Sequence, residues 1–204
     1  RDPPVLDGLD LGIRTGEHVA IIAPNGAGKS TLLALIAGLA PASTGSVRIG
    51  GEPLNGATAS RLRASMAWVG QPPHIFPGTI ASNVSLGRPG METGDVARAL
   101  KAARLDGVAS ARGASPIGEG GIGLSGGEAL RLALARAAAG QGAGLILADE
   151  PTAHLDSETA AEVIESLLAV SAGRTLIVAT HDPMLASRMD RVIDLSARQA
   201  EVAA

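Results

Sequence analysis

The feature that most constrains the fold is a glycine-rich loop between an apolar run and a segment of helical periodicity. The run at 18–23 is short and continuously apolar, as a buried strand requires, and 29–39 carries apolar residues at helical spacing. The loop between them reads PNGAG and leads directly into Lys29, Ser30 and Thr31. Backbone N–H groups in such a loop converge on phosphate oxygens, aided by the positive end of the helix dipole. The segment therefore predicts a phosphate-binding strand–loop–helix unit.

The loop residues are expected to divide the work of binding a nucleoside triphosphate. The Lys29 ammonium would reach the β- and γ-phosphates, and the Ser30 hydroxyl would bind Mg²⁺. The predicted binding set is Asn25, Gly26, Ala27, Gly28, Lys29, Ser30 and Thr31. Ala23 replaces the first glycine of the usual pattern, and because Pro24 favours extended geometry at position 23, a positive φ is not needed there. The alternative interpretation is a glycine-rich turn with a capping lysine.

Two adjacent carboxylates end a second apolar strand, in the sequence LILADE. Consecutive residues at a strand end point in different directions, so they can hold different roles. We expect Asp149 to orient the Mg²⁺ shell and Glu150 to accept a proton from an attacking water. A solvated strand end is the alternative.

A second candidate anion site is the segment LSGGE at 124–128, which precedes a helix continuing to Ala139. Two glycines expose N–H groups there, and the Ser125 hydroxyl lies at the helix N-terminus. One folded chain would then have two such sites for one triphosphate. Either this is an ordinary glycine-rich helix start, or Ser125 and Gly127 serve the nucleotide of another chain.

Taken in order along the chain, these motifs resemble the ATP-binding cassette family. The set comprises the phosphate loop, LSGGE, LILADE and the triplet Thr180-His181-Asp182, and it covers essentially the whole chain. The resemblance implies that Gln71 contacts Mg²⁺ and senses the transport partner. It also implies that Glu150 is the catalytic base and His181 the switch residue on the γ-phosphate. Asp156 falls in the dimer-contact loop.

Two further segments resemble exporter-type members of that family. They are FPGTI at 76–80, with Asn83 after it, and IGEGG at 117–121. In exporters these segments face the membrane domain. The sequences WVGQPPHIFPGT and EPTAHLD are similar to heterodimeric thiol (cysteine/glutathione) exporters linked to cytochrome bd assembly. The chain departs from the family at Ala23, at Glu128 where glutamine is commoner, and in lacking an adenine-stacking aromatic, which would lie upstream.

The expected fold is α/β: a P-loop NTPase core with a mostly parallel sheet, antiparallel N-terminal strands and an inserted helical subdomain. We expect one nucleotide-binding domain over 1–204, with its core at about 1–71 and 141–204 and the helical subdomain at about 72–140. The resemblance implies ATP and Mg²⁺ as ligands. The partners it implies are a second nucleotide-binding domain, identical or not, and a membrane domain, expected upstream of Arg1 and absent from this chain. The expected location is the cytoplasmic face of the cell membrane.

Composition argues against several other functions. The net charge is −3 without a run of Lys or Arg, and only 1% of residues are aromatic, so nucleic acid is not an expected partner. The absence of Cys excludes disulfides and thiolate chemistry. A soluble cassette ATPase acting on DNA or ribosomes stays open as an alternative, as does a non-catalytic scaffold, which Glu150 and His181 argue against.

Overall fold

A computed structural model of the chain describes residues 5–140 and 142–196. The contacts divide the chain into two compact units. Among the described residues, the first unit contains 5–67, 142–150 and 173–196, and the second contains 68–140 and 151–172.

The strands and helices are numbered here in chain order. The strands are β1 (His18–Ile22), β2 (Arg48–Ile49), β3 (Glu52–Pro53), β4 (Met66–Val69), β5 (Leu145–Asp149), β6 (Thr175–Ala179) and β7 (Arg191–Asp194). The helices are α1 (Lys29–Ile36), α2 (Ala59–Ala64), α3 (Ile80–Ser85), α4 (Thr93–Ala102), α5 (Asp106–Arg112), α6 (Gly126–Ala139), α7 (Ser157–Ser171) and α8 (Pro183–Ala186). A short 3-10 turn covers Glu119–Gly121.

The main sheet has five strands in the order β4-β5-β6-β1-β7. Strand β1 runs parallel to β6 and β7, and β5 runs parallel to β6. Ala179 is in register with both Ile21 and Asp149, so β1, β5 and β6 end at the same edge. A separate antiparallel pair joins β2 to β3. These features confirm the predicted α/β fold.

The core of the first unit lies between α1 and the sheet. Fully or nearly fully buried aliphatic side chains fill it, among them Ile21, Leu33, Leu147 and Ile177. Runs of β-branched and leucine side chains suit strands buried on both faces, which explains why the middle residues of β1, β5 and β6 are apolar. The sequence supplies these side chains without aromatic residues, as its composition requires.

The first helix ends earlier than its apolar periodicity suggests. It stops at Ile36, and two residues later Gly38 adopts a φ of +64°. The Leu39 N–H donates to the Ala34 carbonyl and the Gly38 N–H to the Leu35 carbonyl, the hydrogen-bond pair of a Schellman motif. The glycine therefore ends the helix, and Leu39 lies outside it.

The second unit is helical. Helix α6 packs against α3, α4 and α7. Buried side chains on these elements include Ile80, Val84, Leu130, Leu134 and Ile164. Among the described residues between 72 and 140 no strand occurs, and one antiparallel bridge joins Gly78 to Ile117. Across the described parts of both units, no helix combines the length and apolar character needed to cross a membrane.

Candidate ATP-hydrolysis site

The phosphate loop has the backbone geometry that its glycines predict. Gly26 and Gly28 adopt φ values of +82° and +94°, which L side chains rarely reach. At Gly28, the N-cap of α1, a Cβ would also lie 2.9 Å from Leu6 Cδ2 and 3.0 Å from Val5 Cγ1. Gly28 is therefore needed for its conformation, and a side chain there would also have to displace the ends of the Leu6 and Val5 side chains, whereas at Gly26 only the conformation requires glycine. Ala23 has no positive φ, which confirms the expectation for that position.

The Lys29 side chain is held at the base of this loop. It is 6% exposed, and its Nζ donates to the Ala23 carbonyl at 2.9 Å. The same Nζ lies 3.3 Å from Glu150 Oε1. An ammonium in this position is buried only because both acceptors compensate its charge. The loop thus holds a fixed ammonium group at its base.

Glu150 lies directly after β5 in a left-handed conformation, with φ of +47°. Its N–H donates to the Ala179 carbonyl at 2.9 Å, which ties it to the end of β6. Its Oε2 lies 2.8 Å from His181 Nδ1 and accepts the His181 backbone N–H at 3.3 Å. A carboxylate only accepts, so Nδ1 carries the proton. The first unit therefore brings Lys29, Glu150 and His181 together, with the carboxylate between the two basic side chains.

Asp149 is the last residue of β5, and its Oδ1 is buried without a hydrogen-bond partner. An orphaned carboxylate oxygen is costly unless it binds a cation or a donor. Ser30, in the first turn of α1, adds an exposed hydroxyl. Oxygen donors of this kind are those that Mg²⁺ prefers. The residues present therefore fit a magnesium ion.

In the second unit, Gln71 and Asp156 belong to segments that meet. The Gln71 Nε2 donates to the Ala153 carbonyl at 2.6 Å. Asp156 caps α7 by accepting the N–H groups of Glu158 and Thr159 and the Thr159 hydroxyl. The bond from the Thr159 hydroxyl, followed by its backbone N–H, lowers the pKa of Asp156.

The LSGGE segment forms a capping box at the start of α6. The Glu128 N–H donates to Ser125 Oγ at 3.2 Å, and the Ser125 N–H donates to Glu128 Oε2 at 2.7 Å. Carboxylate and amide oxygens can both close this box, so the structure accommodates Glu128 where glutamine is commoner. The N–H groups of Gly126 and Gly127 lie in the first turn, where a helix has no internal acceptors for them.

Sequence reasoning missed a buried polar cluster that holds the segment after Gln71. Asn83 is 1% exposed and accepts the Phe76 N–H, while its amide donates to the Phe76 and Thr79 carbonyls. Arg136 on α6 donates to the Asn83 and His74 carbonyls and to Asn83 Oδ1, and it lies over the Phe76 ring. Burial, then the proximity of Arg88, lowers the pKa of Arg136. The resemblance to exporters marks Phe76 and Asn83 but not their contacts, and the sequence signal for Arg136 is a single arginine in the alanine-rich stretch ALARAAA.

Comparison with known proteins decides the family. The family profile described as ABC transporter matches residues 6–153. The chain belongs to the ABC transporter family. It is an ATP-binding domain of the ATPase class, which confirms the ATP ligand and the enzyme class that the motifs predict.

Relatives of this ABC domain include proteins of different overall size. The mycobactin import ATP-binding/permease protein IrtB of Mycolicibacterium thermoresistibile is 37% identical over 199 residues, covering 96% of this chain but 34% of IrtB. The lipoprotein-releasing system ATP-binding protein LolD of Roseobacter denitrificans is 41% identical over 203 residues, covering 96% of this chain and 88% of LolD. A solved bacterial Atm1-family ABC exporter with ATP bound matches with a TM-score of 0.86 and 29% identity, over 100% of this chain and 40% of that one. The chain thus spans about a third of IrtB.

Proposed function

We propose that this ABC domain hydrolyses ATP in a head-to-tail dimer and thereby powers an exporter. The observation that carries the proposal is the placement of the Glu150 carboxylate between Lys29 and His181. This lies at the carboxyl end of β5, where the buried Asp149 Oδ1 has no hydrogen-bond partner. A carboxylate beside a phosphate-binding lysine is placed to act as general base on a water that attacks phosphorus.

Each residue of the site has its own role in the proposed reaction. Glu150 takes the proton of the attacking water, and His181 contacts the γ-phosphate and keeps the carboxylate aimed. Lys29 and the loop N–H groups hold the phosphate oxygens as their charge changes. Mg²⁺, held through Ser30 and Asp149, would supply positive charge to the phosphate oxygens. The remaining loop residues Asn25, Gly26, Ala27, Gly28 and Thr31 line the same nucleotide.

The second chain enters through the LSGGE segment. Ser125 and Gly127 would bind the γ-phosphate of the partner's ATP, and Asp156 would lie at the contact between chains. Support comes from the open first-turn N–H groups of α6 and from the helix dipole, which favours an anion there. Binding would close the dimer and hydrolysis reopen it, a motion that can move an attached membrane domain.

The membrane partner is proposed as a domain encoded upstream of Arg1, which would place this domain at the cytoplasmic face of the membrane. The exporter direction rests on the segments 76–80 and 117–121, near which Phe76 and Ile122 are exposed. The Atm1-family exporter supports that direction. The thiol substrate rests only on the similarity of the sequences WVGQPPHIFPGT and EPTAHLD to those of thiol exporters.

The test is ATP turnover as a function of protein concentration. A two-chain site requires specific activity to rise with concentration, and to rise further when the upstream segment is restored, because a tethered membrane domain raises the effective concentration. Turnover that is independent of concentration, in a chain that stays monomeric across the dilution series, would exclude the two-chain site. Transport direction and a thiol cargo are then tested by uptake into inverted vesicles that contain the full-length protein.

A further inference from the structure

Two segments of this chain lie against each other, and the proposed function places both of them in contact with a partner chain. They are the starts of α6 and α7, both in the second unit, and these two helices pack together. A Cβ built on Gly127 would lie 2.3 Å from Thr159 Cγ2, far inside van der Waals contact. A Cβ on Gly126 would lie at an ordinary 3.4 Å from Leu155 Cδ2. Gly127 is therefore the residue of α6 whose missing side chain admits a group from α7.

The Thr159 side chain is fixed at its other end by Asp156. Its hydroxyl donates to Asp156 Oδ2 at 2.6 Å, and its backbone N–H donates to Oδ1 at 2.9 Å. Hydroxyl and methyl share one Cβ, so a single χ1 angle sets the direction of both. The bond to the carboxylate thus determines where the methyl lies against Gly127.

We propose that Thr159 is a positioning residue that couples Asp156 to Gly127, an inference that rests on the two-chain site proposed above. Contact with a partner chain acts on Asp156, which holds the Thr159 rotamer, and the Thr159 methyl passes any shift of that carboxylate to the first turn of α6. The N–H of Gly127 is thereby aligned on the partner's phosphate. Formation of the chain contact and assembly of the phosphate site become one event.

The two functions of Thr159 can be separated by matched variants. Thr159→Ser keeps the hydroxyl and removes the methyl, whereas Thr159→Val keeps the methyl and removes the hydrogen bond to Asp156. Gly127→Ala adds the Cβ that collides with the methyl. The double variant Gly127→Ala with Thr159→Ser serves as the rescue. It removes the collision and keeps a contact between the two helices, because the added Cβ would lie an ordinary 3.8 Å from the Cβ of residue 159.

The experiment measures ATP-driven dimerisation of this chain by analytical ultracentrifugation in a Glu150→Gln background, with thermal unfolding of every variant as a control. We expect Gly127→Ala to lose dimerisation and the double variant to recover it to within about threefold of the Glu150→Gln parent in ATP requirement. We expect Thr159→Val and Thr159→Ser each to need roughly three- to tenfold more ATP than the parent for half-maximal dimerisation, because each variant breaks one half of the link, at unfolding temperatures close to that of the parent. A merely structural role would shift unfolding without this difference in ATP requirement.

The contrary results are distinct. If the parent dimerises but the double variant behaves like Gly127→Ala, the positioning role of Thr159 is wrong. If Gly127→Ala does not fold, Thr159→Val and Thr159→Ser variants that both keep the ATP requirement of the parent refute the role by themselves. A parent that stays monomeric with ATP overturns the two-chain site, and this inference with it.

Discussion

Replacing Arg136 by Met should destabilise the second unit far more than its partial exposure suggests. Methionine keeps most of the apolar length of arginine but donates no hydrogen bonds. The change removes the guanidinium bonds to the Asn83 carbonyl at 3.0 Å, to Asn83 Oδ1 at 3.1 Å and to the His74 carbonyl at 2.7 Å. It also removes the cation from above the Phe76 ring.

The expected loss follows from these contacts. A hydrogen bond to a charged group contributes about 1.5 to 3 kcal/mol when buried. Arg136 is only half-buried, and Asn83 Oδ1 keeps the Phe76 N–H as a second donor. We therefore assign about 1 kcal/mol to each of the three bonds and expect a total loss of about 3 kcal/mol. That is a large part of the roughly 5 to 15 kcal/mol that stabilises a typical domain.

Urea unfolding of the wild type and the variant measures this loss. The matched control is Arg61→Met, because Arg61 pairs with Glu52 on the surface and such pairs contribute about 0 to 1 kcal/mol. Amide hydrogen exchange should also accelerate in residues 72–79, which the cluster holds. If Arg136→Met costs no more than Arg61→Met, the cluster does not hold this segment in the way described.

Three further outcomes follow from the site. Glu150→Gln should keep ATP binding but lower turnover by at least about a hundredfold, since an amide cannot accept the water's proton. Steady-state phosphate release by the full-length protein measures this, and near-normal turnover would exclude Glu150 as the general base. Lys29→Ala should weaken ATP binding in a calorimetric titration, and an unchanged affinity would contradict its phosphate contact. Because the pKa of Asp156 is lowered in the native state, its carboxylate stabilises the fold above the ordinary aspartate pKa of about 3.9, and this contribution is lost as pH falls through the lowered pKa. The stability difference between wild type and Asp156→Asn should therefore be constant from neutral pH to about pH 5 and shrink below about pH 4, and a difference that does not change with pH would contradict this.

Much of the fold could be predicted because its signals are local. Buried parallel strands show as short apolar runs, and the apolar run before Asp149 and Glu150 in LILADE is strand β5. Helix α7 has local signals of the same kind, a capping side chain at Asp156 and buried apolar residues at helical spacing. Helix α1 was predicted too long because the apolar pattern continues through the Schellman turn, where Gly38 and not hydrophobicity decides the end.

Some residues of the candidate site could likewise be identified from local sequence, and others could not. The phosphate loop and the pair Asp149 and Glu150 carry their chemistry in contiguous residues, so the sequence identifies them. The contact between Glu150 and His181 joins residues on two different strand ends, and spacing alone does not reveal such a pair without knowledge of the sheet order. Arg136 and Thr159 carry no motif of their own. Their importance comes from what the fold places against them, and only the structure shows that.

Each ATP is proposed to be hydrolysed between two chains, and mixing two inactive variants distinguishes this arrangement from a site within one chain. Lys29→Ala disables the phosphate loop, whereas Ser125→Asp keeps a good helix cap but sets a negative charge against the partner's phosphate. In a mixed dimer, one site combines the intact loop of one chain with the intact LSGGE segment of the other. Each variant alone should therefore be inactive, and an equal mixture should recover about a quarter of wild-type turnover when chains pair at random. A mixture as inactive as its components, while mixed dimers are shown to form, would contradict the two-chain site.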